Sequence, residues 1–142
     1  MNPDMRRLRE DLERDEGRSK KIYVDTTGHT SAGVGRNLSG KGLRDDEIDL
    51  MLTNDIAEAE SELDRVCPWW KNLPEPAARG ILNCMFNLGA PRLLGFKKML
   101  AALESHDWDR AAQEAEQSHW SAQVGQRAKR IADLFRSCKF VA

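Results

Sequence analysis

The chain has 142 residues, enough for one domain with its own core, and its 22 lysines and arginines nearly balance its 23 aspartates and glutamates. A net charge of −1 supplies no basic field of the kind that binds nucleic acid. Three widely spaced cysteines, Cys67, Cys84 and Cys138, suit reduced thiols rather than a disulfide framework, and three histidines without ligand spacing point to no metal and no cofactor.

From the N-terminus, Met5, Leu8 and Leu12 repeat at helical spacing after Asn2-Pro3-Asp4, a helix start, so residues 1–16 read as the first helix. Gly17 is a natural residue to end it in a left-handed conformation. Glu16 then sits at the helix C-terminus, where the macrodipole favours the protonated acid, and partial burial would favour it further. Ile22, Tyr23 and Val24 are β-prone, Asp25-Thr26-Thr27-Gly28 is a turn, and residues 29–32 return as a second strand. An aspartate in that turn, near solvent and backbone donors, stays ionised. Two carboxyls in settings that separate their proton affinities suggest an acid and a base, as glycoside hydrolysis requires.

Residues 37–42 read as a loop. From 45 to 66 the apolar positions Ile48, Met51, Leu52, Ile56, Ala59, Leu63 and Val66 keep a helical period behind an acidic start. About 22 residues span about 33 Å, long enough to bridge two lobes. Cys67-Pro68 ends this helix. Trp69 and Trp70 offer faces that stack on a sugar or pack between lobes, and packing is the favoured reading. Pro76 opens the next helix, whose stripe of Ile81, Leu82, Met85, Phe86 and Leu88 ends at Gly89, with Cys84 in its core face. A short helix follows over 96–103. Asp107 caps another that ends at Ser118-His119-Trp120, and residues 126–135 form the last. No apolar stretch is long enough for a signal sequence or a membrane helix, so no stable membrane insertion is expected.

Three segments carry a resemblance. The run Asp15-Glu16-Gly17, Ile22-Tyr23, Asp25-Thr26, Ser31 and Gly33-Val34-Gly35 is similar to the active-site stretch of phage-type lysozymes, the endolysins of glycoside hydrolase family 24. Eight residues separate Glu16 from Asp25 and five separate Asp25 from Ser31, as in that family. Asn83 to Gly89 resembles its Asn-x-x-Phe-(Asn/Gln)-x-Gly segment, and Trp120 with Gln126-Arg127-Ala128-Lys129-Arg130 resembles its third. Two departures stand out. Ser31 replaces the family's threonine, keeping the hydroxyl but losing the methyl that restricts χ1. Arg36 stands where the T-even branch carries histidine, and an ion pair from Arg36 to Asp55 is therefore expected.

The resemblance implies an α+β, predominantly α-helical, lysozyme-like fold in a single domain over 1–142. A small N-terminal β-hairpin lobe, about 15–45, is joined by the long helix, about 45–66, to a helical lobe, about 67–142, on which helix 1–16 packs. It implies an inverting muramidase that cuts the β-1,4 bond between N-acetylmuramic acid and N-acetylglucosamine in peptidoglycan, for host-cell lysis. Glu16 is then the general acid, and Asp25 with Ser31 positions and activates water. Asn87, Thr30 and Gly35 are implied to bind substrate, while Arg127, in contact with the acid, and Trp120 support the site. A monomer, synthesised in the host cytoplasm and reaching the wall after a holin opens the membrane, completes the expectation. The rival reading is a catalytically weak wall-binding or virion structural module on the same fold.

Overall fold

A computed structural model describes residues 2–140. The chain divides into two units, one up to Leu50 and one from Met51, with the boundary inside a long helix. Among the described residues, no helix is long and apolar enough to cross a membrane.

The N-terminal unit opens with α1, Met5–Glu16, capped by Asp4, whose side chain accepts a hydrogen bond from the Arg7 N–H at 3.1 Å. A three-stranded antiparallel sheet follows in the order β1 (Ser19–Val24), β2 (Thr30–Gly33), β3 (Arg36–Asn37). The first two strands lie within a residue of their expected bounds. The third falls in the stretch read as the start of a loop and adds an edge to the hairpin. Two residues are too few for a periodic signal, and β3 exists because β2 already offers a free edge. Asn37 reinforces it: its side-chain oxygen accepts from Gly40 N–H at 2.9 Å and from the Ser39 hydroxyl at 3.0 Å.

The long helix α2, Asp45–Val66, has the expected bounds. Its first turn holds Asp45, Asp46 and Glu47 at the positive end of the dipole. Glu47 does more than complement that dipole. It accepts from the Arg44 N–H at 2.8 Å, the reciprocal half of a capping box, and grips Arg36 with both oxygens at 2.7 Å. Arg36 Nη1 also donates to Gly42 O at 3.1 Å. This corrects the expected partner of Arg36: its guanidinium is held by Glu47, eleven residues on, not by Asp55. A bidentate acceptor in the adjoining helix turn satisfies the planar fork, and the site is complete without a second carboxylate.

The second unit contains the rest of α2, a 3₁₀ turn at Pro68–Asn72, then α3 (Glu75–Leu88), α4 (Ala90–Leu94), α5 (Lys97–Glu104), α6 (Trp108–Glu116), α7 (His119–Val124), α8 (Gln126–Ser137) and a 3₁₀ turn at Cys138–Phe140. Two short helices escaped the periodicity. In α4, Pro91 lies in the first turn, where its missing N–H has no helical partner to lose. Beyond α6, Ser118 caps a new helix instead of closing the old one, accepting from Ser121 N–H at 3.2 Å. Asp107 caps α6 as expected, with Arg110 N–H at 3.2 Å.

The core mixes aliphatic and small side chains with a few large aromatic ones, Trp70, Trp120 and Phe135. Alanines on α6 (Ala111, Ala112, Ala115) and α8 (Ala128, Ala132) are fully buried, so these helices approach closely. The ring of Phe135 lies against α3 at Gly80, where a Cβ would come within 2.8 Å of Cε1. Trp70 is buried in this core, with its indole N–H on Asp64 at 2.7 Å. All three cysteines are buried free thiols, and burial pushes the Cys84 thiol up to about 12.

Two measurements check these contacts. Phe135→Ala leaves a cavity beside Gly80 and should cost about 3–5 kcal/mol in urea unfolding. The pairing with Arg36 and the Arg44 N–H lowers Glu47 from 4.5 to about 2. A carboxyl lowered in the folded state stabilises above its ordinary titration range and loses that contribution as pH falls towards 2. Glu47→Gln should therefore melt below wild type at pH 7, and its melting temperature should fall less steeply than wild type below pH 4.5.

Candidate functional site

Glu16 is the last residue of α1. The chain leaves the helix at Gly17, whose N–H still bonds Glu13 O at 2.9 Å. Its φ of 79° is positive as expected, but its ψ of 168° is extended. The backbone therefore runs straight into β1 instead of curling back over the helix end. The expected partial burial of Glu16 is not found: its side chain is exposed. What meets it is backbone. Gly35, in the turn between β2 and β3, lies so near that a Cβ there would stand 2.7 Å from Glu16 Oε2 and 3.2 Å from Cδ. With φ at 67° the position suits glycine on two counts, conformation and close approach.

The β1–β2 register decides where Asp25 falls. Val24 pairs with Thr30 and Tyr23 with Ser31, yet Ser19 pairs with Gly33. Four steps along β1 are matched by two along β2. The surplus, about 7 Å of strand at about 3.3 Å per residue, is taken up in a bulge. The helix end that carries Glu16 and the turn that carries Asp25 are thus nearer along the sheet than a continuous ladder allows.

Asp25 begins that turn. Its N–H donates to His29 O at 2.9 Å, and its carbonyl accepts from Gly28 N–H at 3.1 Å. Its side chain is clamped at one oxygen. Oδ1 accepts from the His29 N–H at 2.9 Å, the Thr27 hydroxyl at 2.8 Å and the Thr27 N–H at 2.9 Å. The His29 N–H, followed by the Thr27 hydroxyl, holds the carboxyl below the usual carboxylate range. The other oxygen, Oδ2, has His29 Nδ1 at 3.8 Å. Asp25 is therefore held towards its ionised form with one oxygen anchored, and its side chain keeps about a third of its surface exposed, 32%.

Thr27, read as turn, and His29, read as the start of the second strand, were given no role in the site from the sequence. The signal was there: an aspartate whose side chain takes an N–H two residues on forms an Asx turn, and Asp25-Thr26-Thr27-Gly28 has the composition for one.

Ser31 occupies the middle strand between Tyr23 and Asn37 and is 2% exposed. Thr30 is half-buried, its carbonyl taking Leu38 N–H at 2.8 Å and its N–H reaching the Ser39 hydroxyl at 3.3 Å. Glu16, Asp25, Ser31, Thr30 and Gly35 thus all belong to the N-terminal unit.

The remaining expected residues lie in the helical unit. Asn87 does not cap α3, since the final turn is closed by Gly89 N–H on Met85 O at 2.9 Å. Instead its Oδ1 accepts from Trp120 Nε1 at 2.7 Å. That fixes the amide orientation and turns the exposed –NH₂ outward as a donor. Trp120 is itself buried, edge-on to Phe96 at 6.1 Å, and helps wall a cavity of about 570 Å³ whose rim carries Arg92, Lys98 and Gln123. Arg127 is braced on α3, with Nε on Asn83 Oδ1 at 2.9 Å.

The phage lysozyme family model matches residues 13–136. The pre-baseplate central spike protein Gp5 of Enterobacteria phage T4 is 25% identical over 92% of this chain, which spans 27% of that protein. Probable T4-type lysozymes 1 and 2 of Dictyostelium discoideum are 25% and 23% identical over 92% of this chain and 94% of their own lengths. With the helix-end glutamate, the turn aspartate and the glycine-bearing strand turn inside the matched span, the chain belongs to the phage lysozyme family and is a glycoside hydrolase.

Proposed function

We propose that the protein is a muramidase that hydrolyses the β-1,4 bond between N-acetylmuramic acid and N-acetylglucosamine in peptidoglycan, with inversion. The observation that carries this reading is the one-sided clamp on Asp25. An ionised carboxylate held at Oδ1 keeps Oδ2 free to take a proton from water. In an inverting reaction Glu16 protonates the glycosidic oxygen as the bond to the leaving sugar breaks. Water attacks the anomeric carbon from the opposite face and gives its proton to Asp25. Ser31 supplies a hydroxyl to orient that water. Its burial limits its rotamers, which offsets the missing methyl of threonine. The free –NH₂ of Asn87 suits a sugar hydroxyl or an N-acetyl carbonyl, with Trp120 holding it in orientation. Thr30 and Gly35 complete the substrate-binding set and Arg127 the supporting one.

The chain is read as one lysozyme domain, monomeric, made in the host cytoplasm and reaching the wall once a holin has opened the membrane. A second reading follows from the match to a spike protein over 92% of this chain: the same module can serve in a virion and act at entry. Association with purified virions would distinguish that setting from free enzyme.

Mass analysis of digested peptidoglycan tests the bond. New reducing ends on N-acetylmuramic acid support the assignment, and walls that bind the protein but stay uncut overturn it. Glu16→Gln and Asp25→Asn should each reduce turbidity clearing of permeabilised cells by at least about 10²-fold with little change in melting temperature. Gly35→Ala should reduce kcat by at least about tenfold, because the added methyl drives the Glu16 carboxyl from its place. Normal kcat in Gly35→Ala would show that the close approach of backbone to Glu16 is dispensable.

A further inference from the structure

The turn that holds Asp25 contains a second titratable group. His29 Nδ1 lies 2.7 Å from Thr27 Oγ1, and the same hydroxyl lies 2.8 Å from Asp25 Oδ1. The hydroxyl has one proton to give. An ionised carboxylate only accepts, so when Thr27 donates to Asp25 the imidazole must donate to Thr27 through Nδ1–H. If Nδ1 is bare, the hydroxyl stands between two acceptors and its proton is divided between them. A protonated imidazole carries hydrogen on both nitrogens and removes that choice. Among the described residues, Asp25 is the charged group within ion-pairing distance of His29, and no ion pair joins His29 to α1, β2 or β3.

We propose that His29 is a positioning residue for Asp25, acting through the Thr27 hydroxyl, so that a hydrogen on Nδ1, which the protonated imidazole always carries, decides whether that hydroxyl donates to Asp25 Oδ1. The proposal rests on Asp25 being the catalytic base. With His29 protonated, Oδ1 has three donors and the carboxylate is locked with Oδ2 outward. With His29 neutral and its proton on Nε2, Nδ1 is bare, the hydroxyl is shared, one donor weakens and the carboxylate turns more freely. The direct attraction between the imidazolium and Oδ2, across 3.8 Å, acts in the same direction. Catalysis should therefore be best below the pH at which His29 titrates, provided Asp25 remains ionised, and fall as pH rises through it.

Carbon-13 NMR of the full chain labelled at aspartate carboxyls and histidine rings tests this without relying on activity. In wild type, the Asp25 carboxyl carbon should show its own titration and a second step at the pH where the His29 ring titrates. Thr27→Val should shrink that second step at least twofold while His29 still titrates, and Thr27→Ser should restore it. In parallel, kcat on permeabilised cells should fall about threefold across the His29 titration in wild type and Thr27→Ser, at constant KM, and should show no such step in Thr27→Val. A second step of equal size in wild type and Thr27→Val, or none in wild type, would overturn the relay. Retention of full activity by Asp25→Asn would overturn the catalytic reading instead, while the carbon-13 step would still report whether His29 and Asp25 are coupled through Thr27.

Discussion

Two surplus residues in β1 govern the N-terminal unit. A strand turns each successive side chain to the opposite face, so a bulge of one residue exchanges faces along the rest of the strand. A surplus of two does not. Tyr23 stays in phase with Ser19 across the irregularity, and the strand shortens without turning its half-buried side outward. The shortening draws the Asp25 turn towards the end of α1, and the returning strand brings Gly35 against Glu16.

The two carboxyls are managed by different physical means. Glu16 is exposed and lies over Gly35, where the absence of a Cβ leaves room for its carboxyl. Asp25 is located by hydrogen bonds, all from residues within four positions of it. A local clamp of this kind forms whenever the turn forms and does not depend on distant packing. It also keeps a carboxylate charged at a surface where Coulombic partners are weak, because fixed donors at hydrogen-bond distance are not screened as free charges are.

Much of this was readable from the chain, for identifiable reasons. The bounds of α2 followed from a 22-residue apolar period opening on acids and closing at Cys67-Pro68. The caps at Asp4 and Asp107 were legible because side-chain capping is a sequence-local event. Apart from the local clamp on Asp25, what was missed depends on contacts between segments. Neither β3 nor α4 is long enough to show a period, and each exists because a neighbouring element offers it an edge or a surface. The partner of Arg36 was misjudged because the resemblance pointed along the helix to Asp55. The nearer carboxylate, Glu47, was already oriented by capping α2. The clamp on Asp25 was overlooked because His29 was read as strand, whereas its N–H closes the turn.

Ser31, for the family's threonine, and Asn87, at a position where the family pattern takes asparagine or glutamine, are each the smaller side chain. Each loses reach or rotamer restriction, and in each case the surroundings supply the lost constraint. Ser31 is enclosed at the centre of the sheet, so packing limits a χ1 that the methyl no longer does. Asn87 is tied through its carbonyl oxygen to a buried indole, so a short amide is presented in one orientation. Pre-organisation carried by neighbours is as effective as pre-organisation carried by the side chain itself, because in either case the freedom is lost before any ligand arrives.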